Sequence, residues 1–286
     1  MNLKHLGCLM ILLFLLSSCS SKMKITGNST SSLTPLRANE SVVIIEENEN
    51  LDQTETNAKI GSFEIKDGGL SLDCSYERVQ SLAKDKARSV GGNTVKITEH
   101  KLPGTWSTCH RIKFEVYKIA DITPYQEEMI WSANNKLKWE YFKAPPKFER
   151  NSMFCGFIDV QFNDIKLLND NGKVNINPIF LFECSYVQPS EKSENLLDYN
   201  QVKFDLLEVY ARKMRSEFDK SSIDTLDEWT KFAQNIYDKV QKEYETDIYN
   251  YEVETNFGQN HTEVVGWQYM VKNELEELTE YSSDRS

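Results

Sequence analysis

Histidine is scarce in this chain, with four in 286 residues. His5 lies at the extreme N-terminus, so only His100, His110 and His261 remain for chemistry, too few for a histidine-rich metal site. Gly-x-Ser-x-Gly, the P-loop and the Rossmann glycine pattern are all absent. The usual signatures of serine hydrolases, nucleoside triphosphate binding and dinucleotide binding are therefore missing. Basic residues are outnumbered, 33 Lys and Arg against 44 Asp and Glu, for a net charge of −11. That balance disfavours nucleic acid as a partner. Beyond the N-terminus, no apolar stretch approaches the length of a bilayer span.

The N-terminus is "MNLKHLGCLMILLFLLSSCSS". Lys4 and His5 make a short basic start, and an apolar run follows from Leu6 to Leu16. The run suits a signal peptide better than a transmembrane helix. It ends in Leu16-Ser17-Ser18-Cys19, which resembles the bacterial lipobox. The resemblance implies a signal peptide over residues 1–19, cleaved so that a lipidated Cys19 becomes the new N-terminus. Acyl chains then hold the protein to membrane lipid at about 0.8 kcal/mol per buried methylene. Ser20 does not match the aspartate inner-membrane retention signal, and no acidic cluster follows Cys19. In a cell with two membranes, the expected location is the cell envelope, on the periplasmic face of the outer membrane. Residues 20–58 are rich in Ser, Thr, Asn and Glu, and are expected to be a disordered tether.

Cys8 and Cys19 belong to the N-terminal signal, leaving Cys74, Cys109, Cys155 and Cys184. An even number in an oxidising compartment suggests two disulfides, with four free thiols as the alternative. Three pairings exist. A domain boundary near residue 120 favours Cys74 with Cys109 and Cys155 with Cys184.

Residues 59–120 form the first expected domain. "IGSFEI" (60–65) and "LSLDC" (70–74) have strand character. A helix follows, with Val79, Leu82, Ala83, Ala87 and Val90 on one apolar face. Lys86 interrupts that face, and its stem is expected to lie along the edge with the ammonium in water. Gly91-Gly92 ends the helix. "NTVKITEH" and "RIKFEVYKI" read as strands, the second alternating Ile112, Phe114 and Val116 with Lys113 and Glu115. The Gly92-Asn93 turn, Val95, Ile97 and the two cysteines resemble the small RcsF-like lipoprotein fold. That likeness implies contact with other envelope proteins and no catalytic residues. His100 and His110 fall near strand ends, where they are surface residues or, if adjacent, a metal pair.

Residues 124–286 form the second. "IWSANNKLKWEYFKAPP" carries Leu137, Trp139, Phe142, Pro145 and Pro146. "FCGFIDVQFN" and "NPIFLFECSYV" are expected to pair as antiparallel strands, with Asn171-Gly172 as a turn signal between them. A helix follows through "LLDYNQVKFDLLEVYAR", with Leu197, Phe204, Leu207, Ala211, Met214 and Phe218 as its apolar stripe. Another is expected from Thr225, with Glu228 in a capping box, to Tyr244. Its stripe is Leu226, Trp229, Ala233, Ile236 and Val240. A last helix runs from Thr262 to Glu280 with Val265, Trp267, Val271, Leu275 and Leu278.

These elements resemble a bacterial family of secreted proteins and lipoproteins with a zinc-metallopeptidase-like (zincin-like) core. Its frame is "LxWxDFxGxP", then strands, then "LLxHEQxHFDIxExxAR", then "YDxxTxHGxxxxxQxxW". Gln201, Phe204, Asp205, Glu208, Ala211, Arg212, Thr255, Gly258 and Trp267 keep it. In an HExxH helix, histidines at i and i+4 reach one zinc and the glutamate polarises its water. Here Tyr199, Asn200 and Lys203 hold those places, and Phe257 precedes the later glycine. An ammonium repels a dication, and an asparagine is no general base. Asp198, Asp205, Glu208 and His261 are the available substitutes. Asp205 and Glu208 are expected on a solvated face, with Glu208 beside Arg212 at i+4.

The expected fold class is α+β: a small disulfide-bonded α/β module, then an antiparallel sheet with helices. The expected role is a membrane-anchored envelope protein that binds or scaffolds another envelope protein or peptide, with no cofactor, no metal and no catalytic residue. Its expected contact region is a cleft lined by Tyr199, Lys203 and Phe257. The rival expectations are an envelope hydrolase with non-standard ligands or with Lys203 and a tyrosine, and a stress sensor in the first domain presented by the second.

Overall fold

The computed structural model describes residues 23–31, 33–37, 40–51, 58–69, 71, 74–105, 107–147, 150–163, 173–220 and 226–283. Helices and largely antiparallel sheets make the class α+β. No described helix is long and apolar enough to cross a membrane. The described residues group into two compact units that divide between Ile122 and Thr123, with the short Arg37–Ser41 segment grouped with the second. Cys19 and the Asn171-Gly172 turn lie outside the described residues, as do Thr225 and the side chains of Leu226 and Trp229.

The first unit contains β1 (Lys24–Ser29), β2 (Val43–Ile45), β3 (Ala58–Lys66), α1 (Tyr76–Ser89), β4 (Thr94–Lys101) and β5 (Arg111–Lys118). They form one sheet in the order β1-β3-β5-β4-β2, in which only β2 runs parallel to its neighbour. Alternation on β5 buries Ile112, Phe114 and Val116, which share a core with Val95, Ile97, Phe63 and Ile65. α1 adds Val79, Ala83 and Ala87 to that core, and partly buried Leu82 and Val90 flank it. The Lys86 ammonium stands 4.8 Å from the Phe63 ring centroid, its stem covering the core edge. Ser75 caps α1 by accepting from the Arg78 N–H. Gly91 follows at φ +80°, where a Cβ would meet Leu33 Cβ at 2.5 Å. A disulfide joins Cys74 before α1 to Cys109 before β5, with Cα atoms 5.0 Å apart.

Two strands stand where a disordered tether was expected. β1 pairs along its whole length with β3. Only Ile25 of its six residues is apolar, so a solvated edge strand there has no alternation to betray it. β2 belongs to "SVVIIE", a short apolar run of the kind buried parallel strands use. The first unit therefore begins well before residue 59. Ser71 and Cys74, in the expected second strand, lie outside any strand.

The second unit contains β6 (Glu128–Ile130), β7 (Ser152–Met153), β8 (Gly156–Asn163), β9 (Lys173–Leu181), β10 (Tyr186–Val187), α2 (Glu194–Asp219), α3 (Leu226–Glu254) and α4 (His261–Glu277). β8 and β9 pair antiparallel, with β6 on the other edge of β9, and β7 pairs with β10. The segment expected as one strand to Val187 breaks after Leu181, and β10 resumes it on another sheet. A second disulfide joins Cys155 to Cys184 across this break, with Cα atoms 5.9 Å apart.

α2 differs from its expected amphipathic form. It is buried nearly all round from Leu196 to Met214, including Tyr199, Asn200, Lys203, Glu208 and Arg212. It packs against β8 and β9 and against α3 and α4, and a helix covered on several sides needs no solvent face. α3 runs ten residues past Tyr244, because its inward row continues as Ile236, Val240, Tyr244, Ile248 and Tyr251. On α4 the inward valine is Val264, and Val265 is only partly buried.

Candidate functional site

Ser193 starts α2 by accepting from the Leu196 N–H at 3.3 Å. One and two turns on, Tyr199 and Lys203 share a face, and the Lys203 ammonium lies 4.5 Å from the Tyr199 ring centroid. The other wall comes from the end of α3. Its chain turns out through Asn256 (φ +47°), Phe257 (φ +55°) and Gly258 (φ +87°). The Phe257 N–H donates to the Glu252 carbonyl at 2.8 Å, and the Asn260 N–H donates to the Thr255 carbonyl at 2.8 Å. Thr255, fully buried, donates its hydroxyl to the Tyr251 carbonyl at 2.6 Å. A Cβ on Gly258 would stand 2.7 Å from Tyr199 Cγ, so glycine lets the turn lie flat on that ring.

All four positions that depart from the metallopeptidase pattern meet here. Lys203, 6 % exposed, donates to Glu252 Oε1 at 2.5 Å. Arg150 reaches the same oxygen at 3.4 Å, and its guanidinium lies 5.0 Å from the Phe257 ring centroid. Asn200, fully buried, donates to Ser152 Oγ at 3.0 Å and to the Leu196 carbonyl at 2.7 Å. Tyr199 stacks on Tyr251 with centroids 5.1 Å apart, and the Tyr251 hydroxyl donates to the Tyr199 carbonyl at 3.0 Å. Burial lowers the Lys203 pKa below its ordinary value, and the Glu252 charge opposes that fall. Burial, then the Glu252 charge, raises the Tyr199 phenol, so it stays protonated near neutral pH.

An open pocket of about 220 Å³ adjoins this cluster, lined by Arg150, Asn151, Ser152, Tyr199, Phe257 and Gln259. The expected cleft is corrected in one respect. Tyr199 and Phe257 line it, whereas Lys203 is withdrawn into its ion pair. These residues do not fit a zinc ion: a lysine ammonium already neutralises the one carboxylate, and the remaining side chains are a phenol, an amide and a phenyl ring. Among the described residues, no three His, Cys, Asp or Glu side chains converge as a ligand group.

The substitute candidates lie elsewhere. Glu208 is fully buried rather than solvated; it accepts from Arg212 Nε at 2.8 Å and from Arg215 Nη1 at 3.0 Å. Its neighbours have moved inside with it, because α2 is enclosed. Asp205 accepts from Trp131 Nε1 at 2.7 Å and Gln201 Nε2 at 2.8 Å. Gln201 Oε1 in turn accepts from the Leu137 N–H, which anchors the "IWSANNKL" segment to α2. Asp198 is partly exposed on α2. His261 is exposed at the first turn of α4. Trp267 donates from Nε1 to Glu254 at 2.8 Å. Retained frame positions thus hold the second unit together.

In the first unit His100 and His110 are adjacent, with Nε2 and Nδ1 2.9 Å apart and bonded to each other. Tyr76 stacks on His100 at 4.2 Å. Facing nitrogens that share one proton do not aim two lone pairs at a metal.

The sequence did not point to Glu252, Arg150 or the amides of Asn151 and Gln259. Arg150 lies about a hundred positions from Glu252, so no local pattern joins them. No family model, curated protein or solved structure matches the chain.

Proposed function

We propose that this protein is a lipid-anchored bacterial envelope protein that acts by binding, and that its second unit is a zincin-like fold without catalytic activity. The supporting observation is the Lys203–Glu252 ion pair, which fills the place of the metal ligands beside an open pocket. The lipobox residues ending at Cys19 support the anchor and the outer-membrane location. The disulfides Cys74–Cys109 and Cys155–Cys184 suit an oxidising compartment. The partner is another envelope protein or a peptide, taken at the pocket rim where Phe257 is exposed. A hydrolase built on Lys203 is not favoured, because its ammonium faces Glu252 and the Tyr199 ring rather than the pocket.

Two measurements test this. Zinc titration of the purified full chain should show no stoichiometric binding; about one tightly bound zinc per chain would overturn the inactive reading. A photocrosslinking residue at position 257, in cells that produce the protein, should give a discrete adduct that Arg150→Gln weakens. No adduct from position 257 or from the neighbouring Gln259 would overturn the binding site.

A further inference from the structure

We propose that the pocket beside Tyr199 binds a carboxylate group, with Arg150, the Tyr199 hydroxyl and the amides of Asn151 and Gln259 as donors and Phe257 against the group that carries it. The proposal rests on the second unit being a binding domain, and it names the chemistry that the domain recognises.

Tyr199 carries it furthest. The residue is only 2 % exposed, yet it lines the pocket. Its ring is engaged by Tyr251, Lys203 and Gly258, but its hydroxyl makes no hydrogen bond to another described residue. That hydroxyl belongs to a residue of the pocket wall. A phenol O–H on that wall can donate to an acceptor that enters from the open side in place of water. Being protonated near neutral pH, it has that proton to offer.

Charge sets the sign of that acceptor. Lys203 and Arg150 bring two positive charges to the cluster and Glu252 brings one negative, leaving one positive charge in a chain of net −11. Arg150 has five N–H donors and spends one weak contact on Glu252. Its guanidinium lies beside the Phe257 ring, and a guanidinium fork can give two parallel bonds to a carboxylate. Glu252 takes only the one long contact.

Size limits the ligand to an end group. At about 220 Å³ the pocket is smaller than the roughly 300–1,000 Å³ that encloses a drug-sized molecule. Phe257, 42 % exposed, holds a left-handed backbone that non-glycine residues rarely adopt. Strain of this kind, on an exposed aromatic at a pocket rim, is typical of ligand clamps. The carboxylate has two sources: the C-terminus of a peptide, or a small free organic acid.

Calorimetric titration of the full chain separates these cases with three probes: N-acetyl-Ala-Phe, its C-terminal amide, and 3-phenylpropionate. The free-acid dipeptide should bind at least about tenfold tighter than the amide. Arg150→Gln and Tyr199→Phe should each weaken the acid about tenfold. Tyr199→Phe should leave the unfolding midpoint unchanged, because the hydroxyl has no partner among the described residues; a merely structural tyrosine would shift it. Dipeptide binding tighter than 3-phenylpropionate assigns the peptide C-terminus, and equal binding assigns a small acid; both support the carboxylate. Amide binding as tight as the acid overturns the carboxylate and leaves the pocket a binding site. No heat with any probe at about 1 mM also overturns it, and a surviving adduct at position 257 would then preserve the broader function.

Discussion

Helix α2 carries two buried charge clusters, little more than one turn apart, and they differ in what surrounds them. At Glu208 both carboxylate oxygens are taken, by Arg212 and Arg215. The two guanidinium groups go on to the carbonyls of Leu275, Ile176 and Tyr281 and to Ser282 Oγ. Apart from Arg212 Nε, which stays on Glu208 of the same helix, the guanidinium groups reach other elements of the unit, so this cluster joins α2 to β9 and the C-terminal end. At Lys203 the charges meet a pocket, one guanidinium is half in solvent, and a neighbouring phenol has no partner among the described residues. Burial of charge is common to both and so identifies neither as functional. The distinguishing property is whether the donors are used up inside the fold.

The largest expected effect lies at the closed cluster. Glu208→Ala leaves two guanidinium groups buried without their anion and should cost about 3–5 kcal/mol in urea unfolding. A cost under about 1 kcal/mol would show that the cluster is wetter than its geometry and would erase the contrast. Lys203→Met should cost less, about 2 kcal/mol, because Glu252 keeps Arg150 and some access to water. Adding Glu252→Gln should recover most of that loss; if the double variant is additive, the pair is not coupled.

Gly258→Ala tests the wall itself. It places a methyl group against the Tyr199 ring at a positive φ, and should cost about 1–2 kcal/mol. The same change should reduce ligand binding more than Glu208→Ala does in the folded protein. The smallest effect belongs to the first unit, where the His100–His110 pair is half-buried and carries no permanent charge. Burial, then the His110 charge, holds the His100 pKa below 6.5, while Glu46 and Glu47 pull it up. As pH falls below 6.5 the unfolded chain takes a proton that folded His100 resists, so stability is full above that value and declines below it. Tyr76 covers the pair and Lys96 lies on the carbonyls beside Glu46. His100→Gln should flatten this part of the stability profile in thermal unfolding, and an unchanged slope would remove His100 as its source.

Much of the fold was legible because it follows from periodicity. The faces of α1 and β5 and the pairing of β8 with β9 stand where alternating and helical patterns put them. β1 was not legible, since a solvated edge strand is held by backbone hydrogen bonds that any polar residue supplies. The inner face of α2 misled for a different reason. Glu208 reads as a solvated residue by itself, and becomes a core residue only with Arg212 and Arg215 as partners.

The site divides along the same line. The sequence alone determined that Tyr199, Asn200, Lys203 and Phe257 cannot assemble an HExxH-type zinc site, because donor chemistry is a property of residue type. Cysteine count and the split near residue 120 favoured the pairing that the structure shows, because each pair then falls within one unit. Only the tertiary structure brought Arg150 and Glu252 to Lys203, gave Gly258 a ring to lie on, and left one phenol hydroxyl facing an opening. Those facts depend on where separate elements come together in space, and residues about a hundred positions apart leave no local pattern to announce their meeting.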